Sequence, residues 1–324
     1  MNWTKYLKNA GGINLIKQYL RTGTLFTAIN QFVVLGRDRK ALELLRLGVE
    51  HKLYYRLRKK YYKRATDFKK TIDGVCRKSD SSPVKKIWIC WWQGIDNAPS
   101  LVRKCYDSFK SHLPNWEIIV ITKENYSLYV AFPDYITQKW ESGIISNTHM
   151  SDLLRTELII RHGGMWVDST ILCTSNNIPI SIINSNLFFY QSLKPGADGH
   201  TVLCSTWLIY GKPGSQILLL TRELLYNYWR TKNKIDDYFI FHYFLTMACK
   251  FYPDEYAKIP QFDNATPHIL LLNLFKKFDK NYWSDLCRTT CFHKLSYKLD
   301  SELVKNSQDT YYNFIMSDKN NEIP

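Results

Sequence analysis

The spacing of polar and apolar positions changes period several times along the chain. From Asn2 to Glu50 it is helical, with Tyr6, Ile13, Leu15, Ile16 and Leu20 as early apolar positions and Leu42, Leu44, Leu45 and Leu47 as a later cluster. Lys52 to Lys70 continues as helix but alternates basic side chains with Tyr54, Tyr55, Tyr61 and Tyr62. Lys78-Ser-Asp-Ser-Ser-Pro83 holds turn formers and no apolar residue, which predicts a boundary there. Beyond it the pattern predicts a buried strand over Val84 to Trp92, a helix over Ser100 to His112 and a second strand over Glu117 to Thr122. Asn125 to Ser142 is loosely helical and interrupted at Phe132-Pro133. Further strands are predicted at Asn186 to Gln191 and Leu203 to Tyr210, separated by a Pro- and Gly-containing loop over Lys194 to Gly199. Ser215 caps a predicted helix to about Arg230, and Asp237 stands at the start of another, Tyr238 to Lys250. Strand, helix and strand in alternation predict an α/β fold, a Rossmann-like sheet flanked by helices.

The stretch from His149 to Thr170 organises the middle of the chain. Ser151 is the expected N-cap of a helix whose apolar positions include Leu153, Leu154, Leu158 and Ile160. Gly163 and Gly164 end that helix, and Met165-Trp166-Val167 reads as a short buried strand that carries Asp168 at its end. A helix from Ser151 to His162 rises roughly 16 Å, and a strand to Asp168 returns about 13 Å. Asp152 and Asp168 are therefore expected at the same end of the layer, with Arg155 one helical turn from Asp152. Two carboxylates and a guanidinium beside a strand end suit sugar hydroxyls and a diphosphate, because ligands of such sheets bind off the carboxyl ends of the strands. The same spacing also suits a surface ion pair on an amphipathic helix. His149 is placed just ahead of this helix, either facing a ligand or as a satisfied polar group.

Composition narrows the class. The 324 residues are 45% hydrophobic and 23% charged, as in globular chains that bury a sizeable core. No apolar run is long enough to span a bilayer, and no leader-like segment follows Met1, so a cytosolic protein is expected. The eight cysteines form no Cys-x-x-Cys pair and are expected to be reduced. Residues 1–80 hold 19 Lys+Arg against 6 Asp+Glu, which leaves only +2 of the +15 net charge for the rest. That distribution argues against a nucleic-acid groove across the fold. A basic, Tyr-rich helix suits an anionic membrane face; it suits equally a solvated helix packed on the body.

Ser-Asp-x-x-Arg followed by Gly-Gly-x-Trp-x-Asp, together with Lys86-Ile-Trp-Ile-Cys-Trp-Trp-Gln-Gly94 and more loosely Tyr238-Phe-Ile-Phe-His242 and His293-Lys-Leu-Ser-Tyr-Lys298, resembles the capsular polysaccharide synthesis proteins. Glycosyltransferase family 32 and the clostridial glucosylating toxins are wider relatives of the same pattern. The resemblance spans roughly residues 84 to 300. It implies a glycosyltransferase-A-like catalytic domain over residues 84–305, a basic helical N-terminal region over 1–80 and a polar tail over 306–324. It implies transfer of a sugar from a nucleotide-diphosphate donor, a UDP-sugar first, to a polysaccharide or lipid-linked glycan acceptor at the inner membrane face. In that frame Asp152 holds donor hydroxyls, Arg155 the sugar or phosphate, and Asp168 the ribose or a metal. Trp91 or Trp92 stacks the base, or both are core tryptophans. Asp237 faces the acceptor or merely caps its helix. His293 and Lys298 close over the diphosphate.

The family's Asp-x-Asp motif departs here, since Thr170 stands where the second Asp belongs. The expectation is a weakly bound Mn²⁺ or Mg²⁺ held by Asp168, the diphosphate and a distal group such as His293; in the alternative, basic side chains such as Lys298 replace the metal. Two other function classes fit parts of the pattern. A glycoside hydrolase also uses paired carboxylates. A non-catalytic membrane adaptor explains the basic N-terminus but not the Asp152, Arg155 and Asp168 constellation.

Overall fold

A computed structural model describes residues 12–36, 38–72, 82–193 and 201–317. The segments predicted over Lys194 to Gly199, the first eleven residues, most of the predicted boundary and the last seven residues of the tail lie outside the described residues.

Among the described residues the sheet holds five strands: β1 (Lys86–Cys90), β2 (Glu117–Ile121), β3 (Gly164–Val167), β5 (Leu187–Gln191) and β6 (Cys204–Gly211). Their order is β2-β1-β3-β6-β5. β1 pairs in parallel with β2 and with β3, whereas β6 pairs antiparallel with β3 and with β5. The sheet is thus parallel on one side and antiparallel on the other. A separate ribbon pairs β4 (Ile171–Cys173) with β7 (Phe292–Lys294) in antiparallel register.

Alternation along the short strands divides the core. Ile87, Ile89, Met165 and Val167 face one apolar cluster together with Phe109 and Phe188. Trp88 and Trp166 face the other, beneath the helices. Strands buried on both faces carry no polar face, which is why Ile87-Trp88-Ile89 and Met165-Trp166-Val167 read as continuous apolar runs.

Helices cover both faces. α4 (Ser100–His112) contributes Phe109 to the first cluster. On the other side lie α6 (Asn147–His162), α7 (Gln216–Thr231) and α8 (Ile240–Phe251), while the short α5 (Asp134–Glu141) adds Ile136 and Trp140. α9 (Lys280–Thr289) and α10 (Tyr311–Met316) build a third cluster around Leu101, Leu172 and Leu286.

The N-terminal region contains α1 (Gly12–Thr22), α2 (Leu25–Leu35) and the 34-residue α3 (Arg39–Ile72). α3 is not an appendage. Leu53, Tyr54, Leu57, Tyr61 and Ala65 are buried in the same cluster as Trp88 and Trp166. Tyr61 meets Phe244 edge-to-face at 5.1 Å, and Arg64 Nε donates to Glu223 at 2.7 Å. The division expected near residue 80 therefore does not divide the core. The other side of α3 exposes Lys52, Arg56, Arg58, Lys59, Lys60 and Lys63, so the helix is packed on the body and basic outward at once.

Two local expectations are corrected. α6 begins one turn earlier than predicted, at Asn147, and its cap is Ser146, which accepts from the His149 amide. Ser151 lies inside the helix, where its hydroxyl donates to the Asn147 carbonyl at 2.9 Å. Asp237 does not sit at the helix start either: α8 begins at Ile240, with Phe239 as the cap.

Candidate active site

The site follows from how α6 turns into β3. Gly163 and Gly164 have φ of 66° and 96°, a region that L side chains avoid. A Cβ on Gly164 would stand 2.6 Å from the Lys86 carbonyl oxygen, so glycine lets β3 lie against β1. The register pairs Trp88 with Trp166 and Ile89 with Val167. Trp91 and Asp168 consequently emerge at the same edge, the carboxyl ends of two parallel strands. β1 lies between β2 and β3, so the chain leaves β1 on one side and returns on the other. The crevice at such a reversal is where open α/β sheets bind ligands.

At that edge Arg155 Nη2 lies 3.2 Å from Asp152 Oδ1 and 3.5 Å from Asp168 Oδ1. The convergence expected from the helix and strand lengths is present. Asp152 Oδ2 is 3.1 Å from His149 Nδ1, so both oxygens of this buried carboxylate are engaged. Because α6 starts early, His149 sits in its first turn rather than ahead of it, and reaches Asp152 one turn on. Arg155 is only 6% exposed. Its guanidinium stacks over Trp166 at 4.9 Å, and Nη1 donates to the Thr206 carbonyl. Asp168 is the more open carboxylate, with 30% of its side chain exposed and Oδ1 accepting from Trp166 Nε1 at 3.1 Å.

Asp152, Arg155 and Asp168 line a cavity of about 640 Å³ with Trp91, Thr170, Tyr238, Lys294 and Lys298 among its walls. Trp91 meets Tyr297 edge-to-face at 5.6 Å near the mouth. Trp92 also touches the cavity, but it is largely core: Nε1 donates to the Asn147 carbonyl at 3.0 Å, and the ring packs on Trp140 at 4.6 Å. Lys298 is exposed at the rim.

Two expected members are elsewhere. Asp237 is not in the cavity wall; it accepts from the Phe239 amide at 2.8 Å, from Tyr243 at 3.4 Å and from Gln18 of α1 at 3.3 Å. Burial, first, raises its pKa. His293 is wholly buried, and its Nε2 lies 3.2 Å from Thr174 Oγ1. Burial pushes this imidazole down to about 4. In a strand successive side chains alternate faces, so with His293 turned inward it is Lys294 that reaches the cavity. Its Nζ lies 2.6 Å from Thr170 Oγ1 and 3.8 Å from Asp168 Oδ2.

Lys294 and His242 are titratable residues of the cavity wall that the sequence did not single out. His242 Nε2 is 3.1 Å from Thr206 Oγ1, and burial lowers its pKa to about 4, so it is a neutral imidazole near neutral pH. Its position within Tyr238-Phe-Ile-Phe-His242 was a signal available in the sequence. Lys294 had none apart from its place between His293 and Lys298.

The chain's own donors do not fit a divalent ion. Hard cations ask for several oxygen ligands. Asp152 is engaged by Arg155 and His149, Thr170 already accepts from Lys294, and His293 faces away. Among the described residues no group of three or more His, Cys, Asp or Glu is arranged to hold a metal.

Two carboxylates and two cations thus line one cavity at the reversal point of an α/β sheet. The chain belongs to the capsular polysaccharide synthesis protein family, whose model matches residues 46–315. The match begins inside α3, in agreement with that helix being part of the core. No curated protein matches the sequence. Among solved structures, the chain is distantly similar to one titled "PaToxG Glycosyltransferase", at 15% identity and a TM-score of 0.36, over 82% of this chain and 96% of that one.

Proposed function

We propose that this protein is a glycosyltransferase with a glycosyltransferase-A-like site, moving a sugar from a nucleotide-diphosphate sugar to a surface polysaccharide precursor. The observation that carries the reading is Arg155 joining Asp152 and Asp168 at the carboxyl ends of β1 and β3, inside a cavity with an aromatic wall. Membership of the capsular polysaccharide synthesis family supports the same substrate class. Asp168, the open carboxylate, holds hydroxyls of the donor sugar or ribose. Arg155, neutralised from two sides, orients both carboxylates. Trp91 offers a face for the base.

A glycoside hydrolase is a poorer fit. It needs two working carboxyls, one as acid and one as base or nucleophile, whereas Asp152 is engaged through both oxygens and leaves Asp168 as the open one. The experiment is thermal stabilisation by a panel of nucleotide sugars, with free oligosaccharides as the comparison. Stabilisation by one nucleotide sugar and not by glycans supports the transferase; response to glycans alone refutes it.

The place of action proposed is an anionic membrane surface. No helix among the described residues is long and apolar enough to cross a membrane. Yet Phe26 is 80% exposed and Val33 75%, with Ile13, Leu20 and Ile29 also exposed on α1 and α2. Apolar side chains on surface helices joined to a basic helix suit shallow insertion beneath anionic headgroups.

A further inference from the structure

We propose that Lys294 is the cation that receives the donor's diphosphate, in the place where the family motif leads one to expect a metal ion. The inference rests on the transferase reading above and adds to it the residue that meets the leaving group.

The geometry begins with the β4–β7 ribbon, where Ile171 pairs with Lys294 and Leu172 with His293. That register sets Lys294 beside the Asp168-Ser-Thr170 turn. Its ammonium donates to Thr170 Oγ1 at 2.6 Å and to the Leu295 carbonyl at 3.2 Å, both neutral acceptors. An ammonium has three donor protons. The third lies on the side of Asp168 Oδ2, 3.8 Å away and beyond direct hydrogen-bond reach. The charge is therefore held in position by uncharged groups and is not consumed by a tight ion pair.

A divalent ion beside Asp168 would face the Lys294 ammonium, while Asp168 already shares the Arg155 guanidinium with Asp152. A diphosphate at the same edge would meet the held Lys294 ammonium, with Lys298 at the rim as a second cation. Thr170 fits this arrangement better than an Asp would. Its hydroxyl orients the lysine without neutralising it.

In the transfer step the bond between the anomeric carbon and the diphosphate oxygen breaks, and its electron pair stays on that oxygen. The acceptor hydroxyl oxygen bonds to the anomeric carbon, and its proton passes to solvent. Negative charge grows on the diphosphate as this happens, and a fixed ammonium beside it stabilises that charge without reorganising.

The test is calorimetric titration of the full chain with UDP, GDP, ADP and CDP, and with the matching nucleosides, in excess EDTA and then in millimolar Mn²⁺. The expected result is that one diphosphate binds in EDTA and binds more tightly than its nucleoside. Lys294→Met should weaken the diphosphate by about 10- to 100-fold, the loss of a charged hydrogen-bond partner, and leave the nucleoside unchanged. If the Met variant melts early, Lys294→Arg and Lys294→Gln decide: binding kept by Arg and lost by Gln supports the role, and binding kept by both overturns it. Diphosphate binding that requires Mn²⁺ and survives Lys294→Met overturns the proposal while leaving the transferase reading intact. Absence of binding by every nucleotide under both conditions overturns both.

Discussion

The Arg155 guanidinium lies 3.5 Å from Asp168, although one residue sits in the middle of a helix and the other just past the end of the next strand. The two glycines between them fold the strand back along the helix. The result is a buried cation shared by two carboxylates.

Removing that cation should cost stability as well as activity. Arg155→Ala would leave buried Asp152 without its main partner, which typically costs about 3–5 kcal/mol. Urea denaturation should show a loss of that order, and Asp152→Asn in the same chain should restore part of it. An Arg155→Ala protein as stable as the parent would show that the contact carries no structural weight. Asp168→Asn keeps the fold in this account and should abolish donor binding, read by the same thermal-shift panel.

Glycine substitutions should separate crowding from backbone strain. Gly143 has φ of 76° and open space around its Cβ position, so Gly143→Ala should cost only the left-handed penalty of about 1–2 kcal/mol. Gly164→Ala carries the same penalty and also drives a Cβ to 2.6 Å from the Lys86 carbonyl. Its loss should exceed that of Gly143→Ala and should include donor binding, since β3 must move off β1. Equal losses would mean that the close approach is easily relieved.

Stability should fall as the medium is acidified through the histidine range. Burial holds His293 and His242 down to about 4, well below the ordinary histidine value. Between about pH 6.5 and pH 4 the unfolded chain binds protons that the folded chain refuses, so the native state loses ground as pH falls. For fully buried His293 the effect is at most of the order of 3 kcal/mol. Melting curves across that window should show the decline, and His293→Gln should flatten it. A Gln variant with the parent's acid sensitivity would place its cause elsewhere.

Vesicle binding tests the proposed surface. Because α3 packs Leu53, Tyr54, Leu57, Tyr61 and Ala65 into the core, deleting residues 1–80 would strip part of that core, so the test uses point variants of the whole chain. Phe26→Asp and Val33→Asp should each lower affinity for phosphatidylglycerol-containing vesicles by about tenfold, the worth of burying one such side chain. Binding should also weaken with added salt. Variants that cosediment like the parent would remove the apolar face from the account.

The sequence by itself determined the alternation of strands and helices, the glycine turn and the approach of Asp152 to Asp168. These are local matters: hydrophobic period, left-handed glycines, and rises per residue that fix how far helix and strand travel. The five strands of the sheet fall within a residue or two of their predicted bounds and α4 falls on them, whereas β7 was not predicted. The tertiary structure decided what depends on register and on distant partners. An inward or outward lysine on β7 turns on a one-residue pairing with β4, so His293 was favoured where Lys294 reaches the cavity. Asp237 is a helix-start carboxylate in sequence and a ligand of Gln18 in space. The charges of the basic N-terminal helix leave two readings open in sequence, a membrane face or a helix packed on the body, and a stripe of Leu, Tyr and Ala one turn apart binds it to the core. Periodicity reports which side chains share a face; only packing shows what that face meets.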